Sequence, residues 1–106
     1  MKVKPVIPRA LATRDVDQAV AYYLDEASEK IALRFVDALE EAYTHIGRQP
    51  AAGSPRYAHE LGIPGLRSWP LRRFPYLVFY VERLDHVDIW RVLHGRREIP
   101  VWMQEE

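Results

Sequence analysis

Cysteine is missing from all 106 residues of the chain, which rules out disulfides, thiolate metal sites and a cysteine nucleophile. No apolar run approaches the roughly 20 residues needed to span a bilayer. Lys2 and Lys4 stand near the start, but Pro5 and Pro8 interrupt what would be the apolar core of a signal peptide. We therefore expect a cytoplasmic protein with no membrane partner. Net charge is missing as well, because 15 basic residues balance 15 acidic ones. Neutrality of the whole molecule argues against a simple nucleic-acid binder. What remains is ordinary: 48% hydrophobic and 28% charged residues, the balance of a globular protein. The length predicts one domain, residues 1–106, able to bury a core without metal or disulfide help.

Charge is zero overall but unevenly placed. Arg14 to Glu41 holds 8 acids against 3 bases, whereas Leu66 to Arg97 holds 3 acids against 7 bases. Every base in that second stretch is arginine and none is lysine. Arginine offers a planar fork that suits carboxylate or phosphate and stacks on aromatic rings. The plain reading is that these arginines pair with the acidic helices; the sharper one is a basic face for an acidic partner.

The same stretch, Gly65 to Pro100, organises the chain. Its apolar and aromatic runs, separated by turn-like breaks, predict a meander of antiparallel strands. Leu66 to Arg72 contains Pro70 and reads as an edge or bulged strand. Tyr76 to Arg83 alternates Leu77, Phe79 and Val81 with Tyr76, Val78 and Tyr80. Being apolar on both faces, it should be central. After a polar turn around Glu82 to His86, Val87 to His94 places Val87, Ile89, Arg91 and Leu93 on one face. Asp88, Trp90, Val92 and His94 fall on the other. The tail holds Val101-Trp102-Met103 and ends on two glutamates.

Upstream, Lys2 to Ile7 reads as a short edge strand, since Pro5 and Pro8 cannot donate to a ladder. Val16, Ala19, Val20, Tyr23, Leu24 and Ala27 form the stripe of a first helix. Asp15 with Gln18 resembles a capping box, with Thr13 a rival N-cap. A second helix starts at Ser28, its expected N-cap. Its stripe is Ala32, Phe35, Leu39, Ala42, Tyr43 and Ile46, widened by Ile31, Leu33 and Val36. Gly47 fits the position just past its end, and Pro50 forbids continuation. Pro50 to Pro64 reads as a long loop, and loops of about 15 residues are often functional. Helices first and strands after predict an α+β fold, with an αα-hairpin packed on one face of a largely antiparallel sheet.

The order β-α-α-β-β-β resembles the RelE/ParE superfamily of type II toxin–antitoxin toxins over nearly the whole chain. The residues that carry the resemblance are Tyr22-Tyr23, Ala32, Phe35, Pro50, Gly53, Gly65-Leu66-Arg67, Phe74-Pro75-Tyr76 and Tyr80. The run Arg91-Val92-Leu93-His94-Gly95-Arg96-Arg97-Glu98-Ile99-Pro100 completes the set and resembles the ParE-like branch in particular. That branch implies a toxin that poisons DNA gyrase, sometimes in plasmid stabilisation, and that a cognate antitoxin neutralises, commonly in a higher-order complex. The RelE branch implies instead an endoribonuclease that cuts mRNA on the ribosome. A decayed toxin that only binds its antitoxin is a third reading.

Metal-free RNA cleavage needs a base for the 2′-hydroxyl, cations for the phosphorane and an acid for the leaving oxygen. Arg67 and Arg97 match arginine positions of the nuclease pattern. The loop, however, carries no lysine, and no tyrosine follows Tyr80. Glu60 as base with His94 as acid resembles the pairing of another nuclease branch; the plainer reading of His94 is a structural histidine at a strand end. Arg67, Arg72, Arg73, His94, Arg96, Arg97 and Trp102 are the candidates for contact with a target or antitoxin. Trp69 and Trp90 read more simply as core or groove residues. His45, His59, His86 and His94 show no metal-ligand spacing, so neither metal nor other cofactor is expected. The reading favoured by the sequence is a ParE-like toxin acting by binding, with no chemistry of its own.

Overall fold

The alternating runs of the arginine-rich half do form a sheet. In this computed structural model, which describes residues 3–95, the elements are β1 (Val6–Pro8), α1 (Ala10–Glu26) and α2 (Glu29–Arg48). A single 3-10 turn (Pro50–Ala52) and a short helix α3 (Arg56–Leu61) follow. Then come β2 (Leu66–Pro70), β3 (Tyr76–Glu82) and β4 (Val87–His94). The expected aromatic tail cluster around Trp102 and the closing glutamates lie outside the described residues.

The strand order is β1-β4-β3-β2, so β3 is interior, as its two apolar faces predict. β2 with β3 and β3 with β4 are antiparallel, whereas β1 runs parallel to β4, Val6 opposite Val87. The sheet is therefore mixed. Parallel neighbours need a long connection, and everything from α1 to β3 lies between these two. Both edges are blunted. β1 has 3 residues and ends on Pro8. β2 ends on Pro70, and its outer side is met by Ser54, which exchanges two 2.9 Å backbone hydrogen bonds with Ser68.

The helical hairpin covers one face of the sheet. Ser28 caps α2 as expected, its Oγ accepting from the Ile31 N–H at 3.2 Å. Phe35, Leu39, Ala42 and Ile46 of α2 pack with Ala12 and Ala19 of α1 against Val78, Tyr80, Val87, Ile89 and Val92. Some stripe residues do not join them: Leu24 and Leu33 are each more than half exposed, and Ala27 is exposed just past the end of α1. The first helix also begins earlier than a capping box at Asp15 would allow. It starts at Ala10, with no side-chain cap, since the guanidinium of Arg9 at the N-cap position has no acceptor; the Arg9 N–H donates to the Ile89 carbonyl at 2.9 Å. Asp15 is instead a buried residue of the helix interior. Gly47 likewise lies inside α2, which runs on through Arg48. Its role is close approach: a Cβ there would stand 2.8 Å from the Lys4 carbonyl.

The other face is covered by what was expected to be a bare loop. Tyr57, Ala58, Leu61 and Ile63, on and just after α3, pack on Leu66, Phe79, Val81 and Leu93. The αL residue Gly62 (φ 64°) ends α3. Strict alternation also fails along β4. Tyr80 pairs with Ile89 but Phe79 pairs with Arg91, so Trp90 is bulged out of the ladder. Beyond the bulge the faces swap: Val92 joins the helix-side core with Val87 and Ile89, and Leu93 joins Trp90 on the α3 side.

Candidate functional site

His94 closes β4 opposite Tyr76, and the two rings meet edge to face at 5.3 Å. It lines a groove of about 520 Å³ between α1 and the ends of β3 and β4, with Gln18, Tyr22 and Tyr23 on the far wall. At the floor, Asp15 holds Arg91 through two 2.8 Å hydrogen bonds to Nε and Nη2, and its Oδ2 also accepts from the Val92 N–H at 3.0 Å. Both side chains are almost fully buried. A buried charge survives only if paired and hydrogen-bonded, and this fork supplies both. The sequence signal was an acid at the apolar spacing Ala12, Asp15, Ala19, three and seven residues apart.

Arg67 turns inward to the preceding loop. Its Nη1 donates to the Gly53 carbonyl at 2.8 Å. Beside it, the buried Tyr80 hydroxyl donates to the Pro50 carbonyl at 2.7 Å and accepts from the Gly53 N–H at 3.0 Å. Burial pushes the Tyr80 hydroxyl pKa up, and the Gly53 hydrogen bond and the Arg67 charge only partly oppose it. A Cβ on Gly53 would fall 2.2 Å from that hydroxyl, so only glycine fits. Pro50, Gly53, Arg67 and Tyr80, quoted above as family features, are thus one structural knot.

The remaining described candidates are dispersed. Glu60 is exposed on α3 and lies 3.8 Å from Arg56 one turn back. It stands on the α3 side of the sheet, whereas His94 faces α1, so the two do not converge as an acid–base pair. Arg72 reaches Glu41 of α2 at 3.5 Å, both well exposed. Arg73, also exposed, holds a left-handed backbone (φ 70°) in the β2–β3 turn. Arg96, Arg97 and Trp102 lie outside the described residues. Trp69 stacks on His45 at 4.2 Å and packs against the helix-side core.

A further charged cluster was missed. Asp88 accepts from Nε and Nη2 of Arg9 at 3.0 Å each, from Nη2 of Arg83 at 3.2 Å and from Nε1 of Trp90 at 3.1 Å. Arg9 also lies over the Trp90 ring at 4.2 Å. Burial alone would raise the Asp88 pKa, but the hydrogen bonds from Arg9, Arg83 and Trp90 outweigh it and hold the carboxyl below its ordinary value. An acid between Val87 and Ile89 was the available signal; its partner Arg9 is 79 residues away, beyond any spacing rule. Among the described residues, no three His, Asp or Glu side chains gather as metal ligands.

Residues 6–99 match the family model described as the ParE toxin of the type II toxin–antitoxin system parDE. The chain belongs to this family of toxins. Among solved structures it is similar to a chain described as "Chromosomal ParDE TA system from P. aeruginosa", with 20% identity and a TM-score of 0.73. The similarity covers 87% of this chain and 96% of that one, and it shows the shared α+β fold. No curated protein matches the sequence. No helix among the described residues is long and apolar enough to cross a membrane.

Proposed function

We propose that this protein is neutralised by a cognate antitoxin in the cytoplasm and, when released, poisons DNA gyrase by binding it. Membership of the ParE toxin family supports the toxin role, and the related structure is described as part of a two-component system. The observation that carries binding over RNA cleavage is the dispersal of the described nuclease candidates. Arg67 donates to the Gly53 carbonyl, and Glu60, on the helix α3, and His94 stand on opposite sides of the sheet. Transition-state stabilisation requires donors already aimed at one reacting centre, and these three do not share one.

The test is expression without the partner. Gyrase poisoning gives DNA breaks and filamentous cells while translation continues. An early translation stop with intact DNA would support the RelE-like endoribonuclease instead. Loss of toxicity with retained antitoxin binding would mark the decayed form.

A further inference from the structure

We propose that the face of β1 and β4 turned away from the helical hairpin, which carries Ile7, Arg9, Arg83 and Trp90, binds an acidic, partly apolar surface of the gyrase target. This inference rests on the gyrase reading above. Strand pairing sets the face. Val6 and Val87 are partners and turn toward the helices, so the next pair, Ile7 and Asp88, turns the other way. Trp90 follows on that side. The short helix α3 covers the same side mainly over β2, and Ile7 at the far edge is left 52% exposed.

The charges show what kind of surface fits there. The Asp88 carboxylate lies beneath, with its side chain 12% exposed, whereas those of Arg9 and Arg83 are 32% and 45% exposed. The face therefore turns cations outward and keeps its anion below. Asp88 takes Nε and Nη2 of Arg83, which leaves Nη1 for an acceptor outside the fold. The acids nearby in the chain are already paired, Glu82 with Lys4 and Asp85 with His86, each at 2.7 Å. A partner bearing carboxylates is complementary to such a face.

Two further features make the face an anchor as well as a charged surface. Asp88 holds both guanidiniums and the Trp90 indole in one arrangement, with Arg9 4.2 Å over the ring. Side chains ordered in advance lose less entropy on binding, and Trp and Arg are among the residues that dominate interface energies. The second feature is Leu84, which follows Arg83 at the β3–β4 turn and is 96% exposed. The turn is closed by the Arg83 N–H donating to the His86 carbonyl at 2.8 Å, a bond that needs nothing from an apolar side chain. Single exposed apolar residues are ordinary. Here Ile7 lies opposite Asp88 and Leu84 lies next to Arg83, so both adjoin the pre-ordered cluster.

The test uses the purified full chain with gyrase holoenzyme and relaxed plasmid DNA. It reads the toxin concentration that halves supercoiling, at about 0.1 M and at higher salt. Ile7→Thr/Leu84→Ser should raise that concentration at least about tenfold. Affinity for the product of the reading frame adjoining the gene should stay unchanged, which shows that the variant is folded. Arg83→Gln should raise the concentration about threefold, and by less at higher salt. Arg14→Gln, an equal loss of charge at an exposed position of α1, should have no effect. Inhibition by the double variant within about twofold of the parent would overturn the proposal and leave the gyrase reading standing. Loss of antitoxin affinity in step with loss of inhibition would also overturn it, by giving the face to the fold or to the antitoxin. A parent chain that does not inhibit gyrase would sink the gyrase reading and this inference with it.

Discussion

Four of the described arginines of the second half form two contrasting pairs. Arg91 and Arg67 sit within the sheet and are held by the fold, one on the buried Asp15 carboxylate and the other, half-buried, on the Gly53 carbonyl. Arg72 and Arg73 sit in the β2–β3 turn, one in an exposed 3.5 Å pair and the other with its guanidinium in solvent. Residue type is identical; burial and geometry set the role. The sheet arginines hold the fold together, and the turn arginines are available to something else. Four experiments can break or sharpen that division.

The largest effect is expected at the buried pair. Arg91→Met leaves Asp15 charged, buried and short of two donors, and should cost about 3–5 kcal/mol in urea unfolding. Asp15→Leu/Arg91→Met should recover much of that loss, since it removes both charges together. A double variant no more stable than Arg91→Met would show that packing, not the orphaned charge, dominates.

Next comes the loop knot. Tyr80→Phe removes the acceptor of the Gly53 N–H and the donor to the Pro50 carbonyl, and should cost about 1–3 kcal/mol. Hydrogen exchange should quicken at Gly53 before it does so in β3. Uniform acceleration across the sheet would mean that the knot is not a local clasp.

Tyrosine ionisation gives a pH signature. Burial, with the nearby Asp15 charge adding to it, pushes the Tyr43 pKa up to about 12. The folded value lies above the unfolded one of about 10. Stability from this group is therefore complete below about pH 10 and is lost as pH climbs toward about 12. Tyr43→Phe should flatten the alkaline limb of a denaturation series. Asp88 works at the opposite end. Its depressed folded pKa means that its contribution is present above about pH 4 and is lost on acidification through the folded value.

The smallest effect is expected at the turn. Arg72→Ala should change stability by less than about 1 kcal/mol, because an exposed ion pair is worth little. A loss comparable to that of Arg91→Met would erase the distinction between the two pairs.

Much of this was legible in the sequence because it is local. The Ser28 cap, the α2 stripe and the two-faced apolar character of β3 each follow from neighbours within a few residues. The misreadings arose where distant chain intervenes. Asp15 read as a cap because its partner Arg91 is 76 residues away. Gly47 read as a terminator because the Lys4 backbone that needs its missing Cβ comes from the other end of the chain. The bulge at Trp90 reversed the faces of β4, and no residue type announces a bulge of this kind. The arginines were visible as candidates, but sequence spacing could not sort Arg67 from Arg73. That required knowing which guanidinium meets a carbonyl and which meets solvent.

The central claim is that the protein acts by binding and not by cutting RNA. Its most direct test is primer extension on a translated message in cells expressing the parent chain or His94→Gln, at several induction levels. The account predicts no ribosome-dependent cuts from either chain, and a toxicity in His94→Gln that falls in a graded way and is partly restored by higher dose. Cuts made by the parent and absent from His94→Gln, with antitoxin binding intact, would contradict it and assign the protein a nuclease mechanism.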